Sequence, residues 1–320
     1  MALKRLNEEL GFPGQQALLL AAKRKGLAAT RQEVRELVEG NAAKQTLAPL
    51  QRSEGKTVAE SEHARWQMDL AELNDNTGSE RYALCVMNIF DRKLFTEPLP
   101  NKRPATVRDA LKKILARAGG KPITISSDKG LEFTSRVVAD YLEGEDIAQR
   151  FKEPGDPNAL GVVDRAIGLL KKKLATIAGT HGDSWGDALG KATAALNATP
   201  KPEVLHGAAP DEVKGEPEVK FMLLQDNARK LQHNEALATK RRAALQRAGG
   251  HFRAPLVGDV HPRFRRGFRA HYGPIRTAMS VEGSTVSDES GAVHDLKLLQ
   301  PAPGEVREPR EAFRRPKRGE

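Results

Sequence analysis

Three strand-like runs come one after another between residues 65 and 99, before any helical pattern begins, and this order limits the possible folds most. The runs are WQMDLAEL, RYALCVMNIF and KLFTEPL, and the turn-rich segment LNDNTGSE separates the first two as in a hairpin. Residues 106–118 then form an amphipathic helical pattern that ends at a Gly–Gly pair. The chain therefore begins its central part as an antiparallel sheet.

Strand and helix patterns alternate in the following segment. A strand occupies the start of ITISSDKGLEF, a helix is predicted at 133–142, a short strand at 146–151, and helices at 158–178 and 184–196. The order β-β-β-α-β-α-β-α-α predicts the α/β class, with a mixed sheet and helices packed on it.

The flanking regions predict further modules. Residues 1–50 are expected to form an N-terminal helical module, in which Thr30 and Glu33 fit a capping box. This helix pair could contact DNA as a helix-turn-helix, or could be a packing or dimerisation module. The predicted division of the chain is a linker at 51–64, a core at 65–215, a helical connector at 216–256, a small β-barrel at 257–303 and a disordered basic tail at 304–320.

Charge and composition indicate the class of partner. The chain has 52 Lys and Arg residues against 42 Asp and Glu residues, a net charge of +10, and the basic residues concentrate in the C-terminal part. A polyanion such as DNA is the expected partner. No apolar stretch approaches the roughly 20 residues that cross a bilayer, and the first residues lack the apolar segment of a secretory signal, so neither a membrane partner nor secretion is expected. The single cysteine, Cys85, excludes an internal disulfide and a zinc site built on two cysteines.

Three acidic residues are the candidate catalytic and metal-binding groups. Asp69 lies inside the first apolar strand, Asp128 follows the fourth strand, and Asp164 opens the helix of 158–178. A carboxylate inside an apolar strand is costly unless it is paired or bound to metal. Converging carboxylates select Mg²⁺ or Mn²⁺, and such a site can hold two ions for phosphoryl displacement. Taken singly, each Asp could instead be a solvated or helix-capping residue.

The segments WQMDL, SSDKGLEF and DPNALGVVDRAIGLLKKKL occur in this order, with 35 residues between Asp128 and Asp164. In these segments the chain resembles the integrases of retroviruses and retrotransposons, and most of all those of Polinton/Maverick transposons. NATPKPEVLHGAAPDEV resembles the segment that closes their core, and RFRRGFRAHYGP with VHDLKLLQPAP resembles their small C-terminal barrel. The resemblance implies an RNase H-like core and an SH3-like or chromo-like barrel.

The resemblance also implies the activity and the site. Asp69, Asp128 and Asp164 would be the catalytic acids and the ligands of Mg²⁺ or Mn²⁺ ions, two in number, although Asp164 stands where the family has Glu. The implied reactions are processing of DNA 3′ ends and transfer of those ends into target DNA. A homo-oligomer, a tetramer by resemblance, and a nuclear location, or wherever the target DNA lies, complete the expectation.

Basic side chains are predicted to contact DNA phosphates. Lys171 and Lys172 lie near the helix face that carries Asp164, and Lys171 matches a DNA-contact position of the family. The predicted barrel offers Arg263, Arg265, Arg266, Arg269 and Lys297.

Two other functions remain open at this point. The chain could be an integrase-derived DNA-binding protein with impaired catalysis. It could also be a chromatin-binding module whose barrel recognises a histone tail, with Phe264, Phe268 and Tyr272 as the aromatic side chains available for a cage.

Overall fold

The computed structural model describes residues 1–49, 55–73, 81–152, 159–181, 184–256 and 270–303. These residues divide into two compact units. The first combines Met1–Glu54 with Glu235–Glu320, and the second is Gly55–Asn234. No helix among the described residues is both long enough and apolar enough to cross a membrane.

The second unit is built on a five-stranded mixed sheet, as the strand order predicted. Strands β1 (Arg65–Glu72), β2 (Tyr82–Asn88) and β3 (Leu94–Leu99) pair antiparallel, and β4 (Thr124–Ser127) and β5 (Ala148–Phe151) continue the sheet in parallel. The order across the sheet is β3-β2-β1-β4-β5, so β1 and β4 are neighbours at its centre. This arrangement confirms the α/β class and the RNase H-like mixed sheet.

Helices cover this sheet. They are α5 (Pro104–Arg117), α6 (Leu131–Thr134), α7 (Arg136–Gly144), α8 (Gly161–His181), α9 (Trp185–Asn197) and α10 (Pro202–Leu205). A longer helix, α11 (Pro217–Arg247), starts in this unit and ends in the other.

Two predicted elements differ locally from those observed. The helix predicted at 133–142 is interrupted at Ser135, which adopts an extended conformation (φ −65°, ψ 141°) and accepts a hydrogen bond from the Val137 N–H at 3.3 Å. Serine competes for backbone hydrogen bonds in this way, which makes it a good cap and a poor interior residue. The strand predicted from residue 146 begins at Ala148, because Asp146 lies in the left-handed region (φ 58°) and ends the preceding turn.

The alternation of side chains along β1 gives the sheet two cores. Trp66 and Met68 point to the face covered by α5 and α7, where they join the larger cluster around Leu111 and Phe133. Ala71 points to the opposite face and packs with the apolar stripe of α8 and with α9. Residues 67 and 69 share this second face, because successive strand side chains alternate. The chain therefore directs Asp69 towards α8.

The first unit has an N-terminal helical part and a C-terminal sheet. The helices are α1 (Ala2–Glu9), α2 (Gln15–Arg24), α3 (Arg31–Glu39) and α4 (Ala42–Leu47), and the predicted capping box of Thr30 and Glu33 is present at α3. The sheet contains β6 (His251–Pro255), β7 (Tyr272–Glu282), β8 (Thr285–Asp288), β9 (Val293–Asp295) and β10 (Gln300–Pro301) in the order β10-β6-β7-β8-β9.

The C-terminal sheet begins before the predicted boundary at residue 257. Gly249 and Gly250 have positive φ (65° and 79°), which lets the chain leave α11 and enter β6 within a few residues. Buried Arg253 of β6 then donates from Nε to the Gln45 side chain at 3.0 Å, which joins the N-terminal part to the sheet. The predicted tail at 304–320 lies outside the described residues.

Candidate active site

Asp69 is a half-buried carboxylate in the centre of the sheet. It pairs across the antiparallel ladder with Cys85 of β2, and its Oδ1 accepts a hydrogen bond from the Leu70 N–H at 2.8 Å. The pKa of Asp69 is raised to about 6, mainly by burial and also by the charges of Asp128 and Asp164, against the lowering effect of the Leu70 hydrogen bond. The three predicted acids therefore interact with one another.

The parallel register of β1 and β4 places Asp128 beside Asp69. Gln67 pairs with Ser126, and each acid lies two residues further along its own strand. Neighbouring strands are about 4.8 Å apart, and residues two apart in a strand share a face. The Oδ1 atom of Asp128 accepts a hydrogen bond from the Gly130 N–H at 3.0 Å, which orients the carboxylate at the strand end.

At Gly130 the absence of a Cβ atom matters for the available space and not for the backbone conformation. Its φ of −61° is available to any residue. A Cβ atom at this position would lie 2.8 Å from the Glu132 Cδ and 3.1 Å from the Asp128 Oδ1. Glycine therefore permits the close approach of the chain to the Asp128 carboxylate.

Asp164 stands in the first turn of α8, and its carboxyl group interacts with that of Asp69. Burial raises the pKa of Asp164 and the charge of Asp128 adds to that rise, whereas the charge of Lys152 and the interaction with Asp69 oppose it. Two strands and one helix thus bring the three carboxylates together.

Gln67 connects the strand of the first acid to the helix of the third. Its side-chain Nε2 donates to the Ala159 carbonyl at 2.8 Å, and its Oε1 accepts from the Val163 N–H at 3.1 Å. Gln67 is fully buried and lies two residues before Asp69 on the same face of β1. Sequence reasoning missed this residue, although a glutamine on the Asp69 face of an apolar strand was the available signal.

Lys152 is a second residue that sequence reasoning missed. It follows β5, and its backbone N–H donates to the Ser127 carbonyl at 2.8 Å, which holds it next to the end of β4. Its charge lowers the pKa values of Asp69 and Asp164. A lysine at the carboxyl end of a strand parallel to the Asp128 strand was the available signal.

The three carboxylates meet part of what a divalent cation requires. All three side chains offer hard carboxylate oxygens, and their mutual repulsion is the kind that a cation relieves. Within the described residues, no three His, Cys, Asp or Glu side chains are placed to hold one ion together. The set fits ions held by one or two carboxylates and completed by water or phosphate oxygens, which is the usual environment of Mg²⁺.

The structure describes only some of the residues that were predicted to contact DNA. Lys171 and Lys172 are exposed on α8, and the charge of Lys171 reaches the buried Cys85 thiol, whose pKa it lowers against the larger effect of burial. Lys297 forms an ion pair with Asp295 at 2.9 Å, so a phosphate would compete with this carboxylate. The remaining predicted contacts lie outside the described residues: Arg263, Arg265, Arg266 and Arg269. Their role, like that of the lysines and the three acids, stays a prediction.

The segment that carries Asp69 and Asp128 matches a known family. Residues 59–157 match the family described as Integrase core domain. This chain contains a retroviral-type integrase core. The integrase core spans β1 to β5, so the two strands that carry Asp69 and Asp128 lie within the matched segment.

Relatives of this integrase core are retroviral and transposon-derived. The chain is 31% identical over 135 residues to the Gag-Pol polyprotein of Walleye dermal sarcoma virus, a match that covers 41% of this chain and 7% of the polyprotein. It is 33% identical over 104 residues to the transposon-derived protein F54H12.3 of Caenorhabditis elegans, covering 32% of this chain and 34% of that protein. The chain thus spans a minor part of these relatives, and the narrower resemblance to Polinton/Maverick integrases stays a prediction.

A solved structure shares the fold over most of the chain. It is the simian T-cell lymphotropic virus intasome in complex with the PP2A regulatory subunit B56 gamma, with a TM-score of 0.62 at 15% identity. The match covers 94% of this chain and 98% of the intasome chain. At this identity the likeness establishes the fold, including a C-terminal sheet beyond the integrase core.

Proposed function

We propose that this protein is a DNA integrase that processes the 3′ ends of mobile-element DNA and transfers them into target DNA. The observation that carries the proposal is the electrostatic interaction of Asp69 with Asp128 and Asp164, of which Asp69 and Asp128 lie within the segment that matches the integrase core domain and Asp164 follows it. Burial raises the pKa values of Asp69 and Asp164, and the charge of Asp128 adds to both rises, so the arrangement is costly without a function that uses it.

In the proposed site, Asp69 is the central ligand and Asp128 and Asp164 approach it from β4 and α8. Two bound Mg²⁺ or Mn²⁺ ions would activate the attacking oxygen and stabilise the leaving oxygen of a phosphodiester. The Gly130 N–H orients Asp128, and the Leu70 N–H orients Asp69. Gln67 fixes the start of α8, so that Asp164 faces the strand ends.

The DNA would approach along α8. Lys171 and Lys172 are exposed on this helix and form no ion pair with a residue that the structure describes. They can neutralise phosphates as the strand enters the site, and the net charge of +10 favours the encounter with DNA. The proposal includes assembly as a homo-oligomer, a tetramer by family resemblance, acting in the nucleus or wherever the target DNA lies.

A catalytically impaired, integrase-derived DNA-binding protein is the second candidate. The observation that favours it is Asp164 itself, which is one methylene shorter than the Glu that the family pattern has there. A misplacement of about 1 Å can cost on the order of 100-fold in rate.

One experiment separates these functions. The purified chain is incubated with oligonucleotides carrying the terminal sequences of its own element, and joined products and DNA affinity are both measured. Wild type should give Mg²⁺- or Mn²⁺-dependent products, and Asp128→Asn should abolish them while DNA affinity is retained. Asp140→Asn, an exposed carboxylate of α7, is the matched control.

Two results would count against the enzyme. DNA binding by wild type without any metal-dependent product, together with no carboxylate-dependent binding of Mn²⁺, would reject the enzyme and leave the DNA-binding protein. Products from Asp128→Asn at the wild-type rate would show that the acids are not the catalytic groups.

A further inference from the structure

A cavity of about 500 Å³ lies in the second unit, away from the three carboxylates. It is bounded by the end of β2, the start of β3, the first turns of α8, the end of α9 and the segment at 201–204. Most of its wall is apolar, and this wall includes Met87, Leu94, Val162, Ala166, Leu169 and Leu196. The volume lies in the range of cavities that bind small molecules.

Arg92 brings an unpaired cation into this cavity. Its Nη1 atom is buried and has no hydrogen-bond partner among the described residues. Burial lowers the pKa of Arg92 to about 10, although the charge of Asp91 opposes that change. A buried guanidinium nitrogen without an acceptor costs stability, so a ligand that supplies the acceptor would be favoured here.

Lys201 adds a second cation to the same cavity. Its side chain is half-buried, and burial lowers its pKa, with the charge of Arg92 lowering it further. Arg92 and Lys201 repel each other beside an apolar wall, and the exposed Arg165 lines the same cavity, so the site favours a bound anion. The carboxylate that also lines the cavity, Glu203, is exposed and forms no ion pair with either cation within the described residues.

The start of α8 also favours a bound anion. Gly161 and Val162, its first two residues, line the cavity, and the helix continues for 21 residues. The N–H groups of a helix start and the helix dipole attract negative charge. The cationic side chains and the helix start thus favour an anionic group on the ligand, and the apolar wall favours an apolar body.

We propose that this cavity binds a small organic carboxylate with an apolar or aromatic body. The carboxylate would bind Arg92 and Lys201 near the start of α8, and the body would cover the apolar wall formed by Met87, Leu94 and Leu169. Inorganic phosphate would satisfy the cations and leave this wall in contact with water, so the apolar body is part of the proposal. None of the three acids lines the cavity, and the binding test below does not depend on the proposed catalysis.

Binding of 1-naphthoate to the full chain tests the proposal. Isothermal titration at pH 7 should give one site per chain, with an affinity at least tenfold higher than that of the neutral 1-naphthamide. Inorganic phosphate alone should bind more weakly than naphthoate by a similar factor.

Variants assign the binding to the cavity. Arg92→Asn introduces a residue that tolerates the left-handed conformation at this position (φ 62°). It should lower the affinity for naphthoate at least tenfold. Lys201→Met is a second test that leaves the left-handed residue 92 unchanged, and it should lower the affinity for naphthoate severalfold. Arg108→Met, an exposed residue of α5, is the matched control and should bind as wild type does.

Three results would each overturn the proposal. They are equal affinities for naphthoate and naphthamide, phosphate binding as tight as naphthoate binding, and wild-type naphthoate affinity in Lys201→Met.

Discussion

The side-chain oxygen of Gln67 in β1 accepts a hydrogen bond from the Val163 N–H in α8 at 3.1 Å, one residue before Asp164. The other end of the same amide donates to Ala159 at 2.8 Å. Since Asp69 lies two residues after Gln67, one buried side chain sets the first and third carboxylates relative to each other. Gln67 is therefore a positioning residue for the proposed site.

Replacing Gln67 by leucine should lower the rate of strand transfer. The variant keeps the approximate volume and removes both hydrogen bonds, so α8 can shift, and a shift near 1 Å costs roughly 100-fold. The rate is measured at saturating Mn²⁺, and DNA affinity should stay unchanged. Gln67→Glu, which retains an acceptor for Val163, should recover part of the rate.

A control distinguishes positioning from simple destabilisation. Thr96→Val removes the buried hydroxyl pair of Thr96 and Thr193 (2.7 Å) in the same unit, away from the acids. Both variants are compared by thermal unfolding. If Gln67→Leu and Thr96→Val lose the same stability and the same activity, Gln67 has no positioning role.

Asp164→Glu tests whether the shorter acid suits this chain. The Asp164 side chain already interacts with Asp69, so an additional methylene should carry the Glu carboxylate past Asp69. We expect a loss of about tenfold or more in strand-transfer rate, and Asp164→Asn should be inactive. A rate above wild type in Asp164→Glu would instead identify Asp164 as an impairing residue.

Lys171 and Lys172 should contribute to DNA affinity by neutralising phosphates. In the double alanine variant, the slope of log affinity against log salt concentration should become less steep, by about 0.9 for each duplex phosphate that is no longer neutralised. Lys112→Ala, an exposed lysine on α5, is the control. An unchanged salt slope in the double variant would place the DNA elsewhere on the molecule.

Asp288 should make the C-terminal sheet sensitive to acid. Its buried carboxylate accepts hydrogen bonds from Ser290 Oγ (2.6 Å) and the Ala292 N–H (3.0 Å), lies 2.8 Å from the His294 Nε2, and is paired with Arg276. These partners hold the pKa of Asp288 well below its usual value, the Ser290 hydrogen bond having the largest effect. Because the pKa is depressed in the folded state, the stabilisation is complete above about pH 4 and decreases as the pH falls further.

Hydrogen exchange of the β7 and β8 amides measures this effect. Asp288→Asn should speed exchange clearly at pH 7, and its difference from wild type should shrink below about pH 4. Asp295→Asn, a partly exposed carboxylate that caps the turn at Lys297, should change exchange less. A difference that is constant from pH 7 to pH 3 would contradict the assigned cause.

The sequence predicted the site where local patterns determine it. The alternation of side chains along β1 assigns Asp69 to one face of the sheet. The apolar run before Asp128 predicts the end of β4, which the structure places at Ser127. Phe133, the first residue of the predicted helix at 133–142, is fully buried. These features depend on residues close in sequence, so a single sequence is enough to predict them.

The residues that were missed depend on distant partners. Gln67 bonds Ala159 and Val163, which lie 92 and 96 residues further along the chain. Its place on the Asp69 face of an apolar strand indicates burial, but it does not identify these distant partners. The break at Ser135 and the early start of the C-terminal sheet at His251 each depend on one or two backbone conformations. Serine at the break and the two glycines before the sheet permit these conformations without requiring them, so residue type alone does not fix the boundary.

Cys85 lies opposite Asp69 in the β1–β2 ladder, is fully buried, and has a pKa raised to about 12. As the only cysteine in the chain, it gives any thiol reagent a single possible target. Reaction requires the ladder to open, because neither the sulfur nor its thiolate is accessible in the folded protein. The labelling rate of the unmodified protein therefore measures how often the centre of the proposed catalytic sheet opens, without an introduced label site.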